Sequence, residues 1–227
     1  MGDPMVDKPS AIFILGMHRS GTSALARLCG LLGAEMPKRP LDANEFNPKG
    51  YWEPLSVVEL NDALLEEASS AWDAPPASPD EVAKAARSAR ERAMKALSDE
   101  FPSDRLIAVK DPRCTVMADV WLDAAHEAGY EPKIAGIWRE SASVVRSLQR
   151  REPFDADEAA LLWANYNVRL IEALRRYGGA LISYRELTAD WRSAAMSIAR
   201  HCKIDWPKSL EAAGPDVQFV AGNVGGG

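Results

Sequence analysis

Short apolar segments alternate with amphipathic segments along most of this chain. Apolar runs with polar or glycine-containing borders are typical of strands buried on both faces, and they occupy residues 11–15, 105–109, 133–138 and 180–184. Apolar residues at helical spacing occupy residues 24–33, 55–67, 79–101 and 116–128, and two more helices are predicted between 139 and 179. Strands that alternate with helices predict an α/β fold, in which helices flank a central, mostly parallel sheet.

The polar motifs of the chain each follow a predicted strand. They occupy residues 16–23, 110–113, 139–141 and 184–187. In parallel sheets, ligands bind beyond the carboxyl ends of the strands. Because those ends meet at one edge of the sheet, we expect the motifs to contribute to a single site.

The first motif, G-M-H-R-S-G-T-S at residues 16–23, predicts a phosphate-binding loop. A glycine-containing turn between a strand and a helix directs several backbone N–H groups and a helix N-terminus at one point, which suits a phosphate. In a Walker loop a lysine follows the second glycine, whereas here Thr22 follows Gly21 and the nearest cation is Arg19. The pattern therefore predicts a P-loop-like three-layer sandwich whose ligand is held without the lysine of nucleotide hydrolysis.

Composition narrows the class of protein further. The chain of 227 residues has 47% hydrophobic and 26% charged residues and a net charge of −6, so nucleic-acid binding through a basic surface is not expected. Its three cysteines lack a C-x-x-C spacing and its three histidines complete no metal set. With no signal-like or membrane-spanning run, these features indicate a cytoplasmic protein. We expect a flexible N-terminus at 1–10, one domain at 11–213, and a flexible tail at 214–227.

Three later motifs could also contribute to this site, although each has a simpler explanation. Arg139 leaves the third strand and Ser147 follows eight residues later, so a guanidinium fork and a hydroxyl could hold a phosphate monoester together. A solvated arginine and a surface serine would explain the same pattern. The K-D-P-R sequence at 110–113 is equally compatible with a surface salt-bridge cluster, and the Y-R-E-L sequence at 184–187 with an ordinary helix start.

Taken together, these motifs resemble the sulfotransferases that use 3′-phosphoadenosine 5′-phosphosulfate (PAPS). The family's phosphosulfate loop, [KR]-S-G-T-[TS], is matched by residues 19–23, and its arginine and serine at the 3′-phosphate are matched by Arg139 and Ser147. Residues 184–187 match a Tyr-x-[ED]-Leu-like stretch after the fourth strand. The resemblance covers residues 12–187, and the arginine form of the loop is more similar to the bacterial glycan and tyrosylprotein branches.

The resemblance implies which residues bind the cofactor and which act on the sulfuryl group. The implied cofactor-binding residues are Arg19, Ser20, Gly21, Thr22, Ser23, Arg139, Ser147 and Tyr184. Lys110 matches a family lysine near the sulfuryl group and would stabilise the charge of the transition state. PAPS has no triphosphate for Mg²⁺ to bridge, so no metal is implied.

The chain departs from the family's pattern at two places. Ala24 and Leu25 stand where many cytosolic members have an aromatic residue that stacks on adenine. After Trp206 there is no clear counterpart of the glycine-rich, basic segment that covers the 3′-phosphate. The contacts to adenine and the closure of the 3′-phosphate site are therefore left open by the sequence.

The catalytic base has several candidates. Related glycan and tyrosylprotein enzymes use a glutamate after the first strand–helix unit, and Glu53 in N-P-K-G-Y-W-E at 47–53 is the first candidate. Two neighbouring aromatic residues would desolvate Glu53 and raise its pKa, although a carboxylate near a helix N-terminus is the simpler explanation. His18, which lies in the phosphate loop, is the second candidate for the base. Asp42 and Glu59 remain further alternatives.

The predicted reaction is sulfuryl transfer to an acceptor hydroxyl. Aromatic and amide residues in segment 42–77 suit sugars as well as peptides and phenols, and among these a carbohydrate acceptor is favoured. The alternatives are a P-loop kinase that uses ATP and Mg²⁺, and a non-catalytic nucleotide-binding domain. The oligomeric state is not specified by the sequence.

Overall fold

A four-stranded parallel sheet forms the centre of the molecule. The structure is a computed structural model that describes residues 8–42, 50–75, 79–102 and 105–221. The strands are β1 (Ser10–Leu15), β2 (Ile107–Lys110), β3 (Glu131–Trp138) and β4 (Ala180–Ser183), in the order β2-β1-β3-β4. All three pairings between neighbouring strands are parallel. This confirms the α/β fold with a parallel sheet that the sequence predicts.

Helices connect the strands in the predicted alternation. Their bounds are α1 (Thr22–Leu31), α2 (Leu55–Glu67), α3 (Pro79–Glu100), α4 (Ala118–Glu127), α5 (Ser141–Gln149), α6 (Ala156–Tyr177), α7 (Tyr184–Ala189), α8 (Trp191–Cys202) and α9 (Leu210–Ala221). A short 3₁₀ helix, Pro112–Thr115, follows β2. The sequence predicts a flexible tail from residue 214, whereas α9 continues through that segment to Ala221.

The sheet has a hydrophobic core on each of its two faces. In β1, Phe13 and Leu15 pack on the face covered by α2 to α6, and Ile12 and Ile14 pack on the face covered by α1, α8 and α9. This alternation follows from the two-residue period of a strand. Because β1 is buried on both faces, its sequence is a continuous apolar run. The result is the predicted three-layer arrangement.

Strand register brings the predicted motifs to one edge of the sheet. Ile14 lies beside Lys110 on one side and Ala135 on the other, so the loop after β1 begins where β2 ends. β4 ends one residue earlier than predicted, because Ser183 caps α7: its side chain accepts from Glu186 N, and the Glu186 side chain accepts from Ser183 N. Tyr184 is consequently the first residue of α7, next to the phosphate loop.

Candidate active site

The loop between β1 and α1 is held by contacts to two other segments. Gly16 N donates to Thr115 Oγ1 at 2.8 Å, which ties the start of the loop to the 3₁₀ helix. At its end, Gly21 has φ of 99°, a conformation that side chains disfavour. A Cβ at Gly21 would lie 2.3 Å from Cδ2 of Tyr184. The loop therefore needs glycine here, both for its turn and for the approach of the Tyr184 ring.

Substituting Gly21 with alanine tests this close approach. We expect Gly21→Ala to lower the free energy of unfolding by ~1–3 kcal/mol, measured by urea denaturation. Gly129 is a matched control, because its φ is 93° but a Cβ there would meet no atom within 4 Å. Gly129→Ala should cost only the backbone strain, so equal losses in the two variants would show that the Tyr184 contact does not matter.

Four predicted cofactor-binding residues converge beside this loop. Arg19, itself in a left-handed conformation with φ of 66°, donates from Nε to Ser147 Oγ at 2.9 Å. Arg139 Nη1 donates to the Arg19 carbonyl oxygen at 3.4 Å, and its guanidinium carbon lies 4.5 Å from the centre of the Tyr184 ring. The sequence resemblance assigns Arg19 and Ser147 to different phosphates, yet in the structure they are directly hydrogen-bonded.

The charges around Arg19 favour an anion. Burial lowers the pKa of Arg19, and the guanidinium groups of Arg151 and Arg139 lower it further. Like charges at short distance repel one another, and an anion bound between them would relieve that repulsion. The arrangement therefore suits a phosphate or phosphosulfate.

Glu53 and Lys110 form a buried ion pair on the other side of the loop. Lys110 Nζ lies 2.5 Å from Glu53 Oε1 and also donates to the Tyr51 carbonyl oxygen at 3.1 Å. Arg113 Nη2 lies 3.4 Å from the second oxygen, Glu53 Oε2. Glu53 and Lys110 are both almost fully buried. Residues 47–49, which precede this segment in the predicted motif, lie outside the described residues.

Arg113, which the sequence predicts only as part of the K-D-P-R motif, is held by two carboxylates besides Glu53. Its Nε lies 2.9 Å from Asp111 Oδ1, and its Nη1 lies 2.7 Å from Asp62 Oδ1. Burial alone would raise the pKa of Asp111, but the Arg113 charge and hydrogen bonds hold it below its usual value. Asn61 completes the network, since it donates to Asp111 Oδ2 at 2.9 Å and accepts from Trp121 Nε1 at 2.8 Å.

This network determines the state of the Glu53 carboxylate. Burial raises the pKa of Glu53, and the charge of Lys110 opposes that shift. A higher pKa makes a carboxylate a stronger base, while two adjacent cations favour its anionic form. Burial and the adjacent cations therefore act in opposite directions on the pKa of Glu53, and the net shift is upward.

His18 differs from Glu53 in its protonation behaviour. Burial and the nearby Arg113 charge lower the pKa of His18 to about 3, so the ring is neutral near pH 7 and a weak base. Its Nε2 is buried and has no hydrogen-bond partner among the described residues. Asp42 and Glu59, the other two alternatives for the base, are exposed.

A cavity of about 170 Å³ joins the phosphate loop to the Glu53 pair. The predicted site residues on its wall are His18, Arg19, Thr22, Ser23, Glu53 and Lys110. Arg139 and Ser147 contact Arg19, and Tyr184 contacts Arg139, but none of the three lines this cavity. Ser20 and Gly21 belong to the loop itself, and Ser20 is fully buried.

Within the described ranges, no group of three or more His, Cys, Asp or Glu side chains is arranged to hold a metal ion. Among the same residues, no helix combines the length and the apolar character needed to cross a membrane.

Comparison with protein-family models gives a match over most of the chain. The sequence model of the sulfotransferase family matches residues 9–208. A search of curated proteins gives no significant match.

Solved structures share the fold at low sequence identity. A sulfotransferase domain from the curacin biosynthetic pathway has 17% identity and a TM-score of 0.53, with 90% of this chain and 76% of that chain covered. A sulfotransferase domain from the olefin synthase of Synechococcus PCC 7002 has 20% identity and a TM-score of 0.51, with 92% and 78% covered. A sulfotransferase from Mycobacterium tuberculosis H37Rv has 15% identity and a TM-score of 0.58, with 95% and 76% covered. These likenesses show the fold.

Proposed function

We propose that this chain, which belongs to the sulfotransferase family, transfers a sulfuryl group from PAPS to an acceptor hydroxyl. One observation carries the proposal. The cavity at the phosphate loop has the cationic Arg19 on its wall and also the buried Glu53–Lys110 pair. Binding of an anionic donor and removal of a proton from an alcohol thus take place at one location.

PAPS would be bound by Arg19 and by the residues that contact it. The Arg19 guanidinium and the backbone N–H groups of the loop would hold the 5′-phosphosulfate. Arg139, which donates to the Arg19 carbonyl oxygen, and Ser147, which accepts from Arg19 Nε, would hold the 3′-phosphate, and Tyr184 would pack beside the nucleoside. Charge-assisted hydrogen bonds at both anionic groups would fix the direction of the sulfur–oxygen bond that breaks.

In the reaction, the acceptor oxygen attacks sulfur while the bond from sulfur to the 5′-phosphate oxygen breaks. The hydroxyl proton passes to Glu53, and adenosine 3′,5′-bisphosphate leaves with the electron pair of the broken bond. Lys110, 2.5 Å from Glu53, is near enough to stabilise negative charge on the sulfuryl oxygens. Arg113 keeps Glu53 anionic and correctly oriented before the transfer.

A carbohydrate is the favoured acceptor. Tyr51 and Trp72 line the cavity next to Glu53, as expected of a site that packs against a sugar ring. The arginine form of the loop is similar to both the bacterial glycan and the tyrosylprotein branches, so the choice of a sugar rests on the aromatic residues of the cavity. Cys29, Cys114 and Cys202 are buried free thiols, which fits a reaction in the reducing cytoplasm.

Calorimetry with two nucleotides tests the cofactor assignment. We expect adenosine 3′,5′-bisphosphate to bind about 10²-fold more tightly than 5′-AMP, because charged hydrogen bonds to the second phosphate contribute roughly 1.5–3 kcal/mol. Arg139→Ala should remove most of that preference. Equal affinities for the two nucleotides in the wild-type protein would refute the assignment.

Transfer assays with the same protein distinguish a sulfotransferase from the two alternative functions. Transfer from PAPS should proceed in EDTA and without ATP, because Thr22 stands where a nucleotide-hydrolysing loop has lysine. Phosphoryl transfer from Mg-ATP would instead indicate a kinase. Tight binding of the bisphosphate without transfer to any glycan, peptide or phenol would indicate a non-catalytic domain.

A further inference from the structure

An aromatic cluster forms the wall of the cavity beside Glu53. The Trp72 ring lies 4.7 Å from the His18 ring, measured between centroids, and 6.1 Å from the Phe154 ring in an edge-to-face arrangement. His18 in turn lies edge-to-face to Tyr166 at 5.7 Å. The bond-making and proton-transfer steps proposed above involve none of these rings, although Trp72 and His18 both line the cavity.

The position of Trp72 is fixed by its backbone. The Tyr166 hydroxyl, at the centre of α6, donates to the Trp72 carbonyl oxygen at 2.9 Å. The turn that carries Trp72 is closed by two hydrogen bonds between Ala71 and Ala74, each 3.2 Å long. Because Tyr166 is fully buried, the indole is held in place by the core. A pre-positioned surface loses little entropy when a ligand packs on it.

His18 offers an unused hydrogen-bonding atom in the same place. Its Nε2 is buried and lacks a partner among the residues that the structure describes, and His18 is one of the residues that line the cavity. A buried polar atom without a partner is unfavourable and calls for an explanation, such as a ligand that satisfies it. The neutral ring can either donate to or accept from a hydroxyl. An alcohol, which can both donate and accept a hydrogen bond, is therefore a suitable partner for Nε2.

We propose that Trp72 is the platform for the ring of a carbohydrate acceptor and that His18 Nε2 hydrogen-bonds the hydroxyl that receives the sulfuryl group. The inference rests on the proposed function. A sugar ring presents an apolar face of C–H groups to the indole, while its other hydroxyls reach polar groups at the rim. Arg151 and Glu152 line the same cavity and offer both donors and acceptors to a neutral polyol.

Acceptor kinetics test the platform. With radiolabelled PAPS and a panel of methyl glycosides and oligosaccharides, we expect Trp72→Ala to raise the acceptor KM about ten- to a hundredfold. Trp72→Phe should recover most of that loss, since it keeps an aromatic face. Binding of adenosine 3′,5′-bisphosphate should change less than about twofold in both variants. Leu161→Ala, an exposed change on α6, is the control for nonspecific effects.

The hydrogen bond from His18 requires a different readout. We expect His18→Ala to lower kcat about tenfold or more with the sugar acceptor, and His18→Gln, whose amide can reach the position of Nε2, to lower it less. Circular dichroism and thermal unfolding would show that both variants are folded. Equal kcat values in wild type and His18→Ala would overturn the assigned hydrogen bond.

Several outcomes would reject the acceptor site while leaving the proposed function intact. Sulfation of phenols or tyrosine peptides, with no glycoside accepted, would overturn the carbohydrate assignment. Trp72→Ala could also weaken bisphosphate binding as much as acceptor binding. That result would assign Trp72 to the nucleotide site instead of the acceptor site. By contrast, failure of the wild-type protein to bind the bisphosphate would reject the proposed function itself.

Discussion

Glu53→Gln is expected to lower kcat for sulfuryl transfer by about 10²- to 10⁴-fold, the usual contribution of a positioned general base. Glutamine keeps the shape of the side chain, and its amide oxygen can still accept from Lys110. What it loses is the capacity to take the acceptor's proton. The affinity for adenosine 3′,5′-bisphosphate should stay the same or improve, because one negative charge leaves a site that binds an anion.

The pH dependence of kcat distinguishes loss of the catalytic base from a general disturbance of the active-site structure. A base acts when deprotonated, so kcat of the wild-type enzyme should rise with pH through the pKa of Glu53. Burial raises that pKa above the value of an exposed glutamate, and the rise should therefore lie at a correspondingly higher pH. In Glu53→Gln this part of the pH profile should disappear.

Glu59→Gln is the matched control for that experiment. Glu59 lies on α2, six residues beyond Glu53, and its side chain is exposed. Its substitution should leave kcat within about twofold of the wild type. A loss at Glu59 as large as that at Glu53, or an unchanged pH profile in Glu53→Gln, would assign the base to another group.

The arrangement of the sheet could be predicted because each strand has a complete local signal. The apolar run at 11–15 becomes β1, which is buried on both faces, and the helical spacing at 55–67 becomes α2 with the same bounds. Because the carboxyl ends of parallel strands lie at one edge of the sheet, the polar motifs that follow the strands lie close together. The convergence of Arg139, Tyr184 and the phosphate loop follows from topology alone.

The partners of individual side chains could not be predicted in the same way. Glu53 pairs with Lys110 and Arg113 across 57 and 60 residues of sequence, and only three-dimensional packing decides such pairs. Arg19 contacts Ser147, although the family resemblance assigns these two residues to different phosphates. The K-D-P-R sequence is equally compatible with a surface salt-bridge cluster, and only the folded structure shows that its charged side chains are buried.

Asn61 shows that one further signal was present in the sequence. It lies on α2 between Leu60 and Leu64, both of which are buried, and a polar residue on an apolar helix face needs an internal partner. In the structure it binds Asp111 and Trp121. The pattern could therefore have indicated a buried polar network, although not the residues that complete it.

Arg19→Ala is expected to reduce kcat/KM for PAPS by about 10²- to 10³-fold, as when a donor to developing negative charge is removed. Arg19 is the cation of the phosphate loop and lines the cavity together with Glu53 and Lys110. Its loss also removes the partner of Ser147 Oγ. Binding of adenosine 3′,5′-bisphosphate, measured by calorimetry, should weaken by about tenfold or more.

The choice of alanine at this position matters because Arg19 has φ of 66°. Glycine would relax the strained backbone and change the loop, whereas alanine retains the same conformational cost and isolates the guanidinium. Arg185→Ala is the matched control, since Arg185 follows Tyr184 directly but is exposed, and it should leave kcat/KM within about twofold. If Arg19→Ala and Arg185→Ala lost activity equally, long-range charge rather than direct contact would explain the effect, and the loop would no longer be the phosphosulfate site.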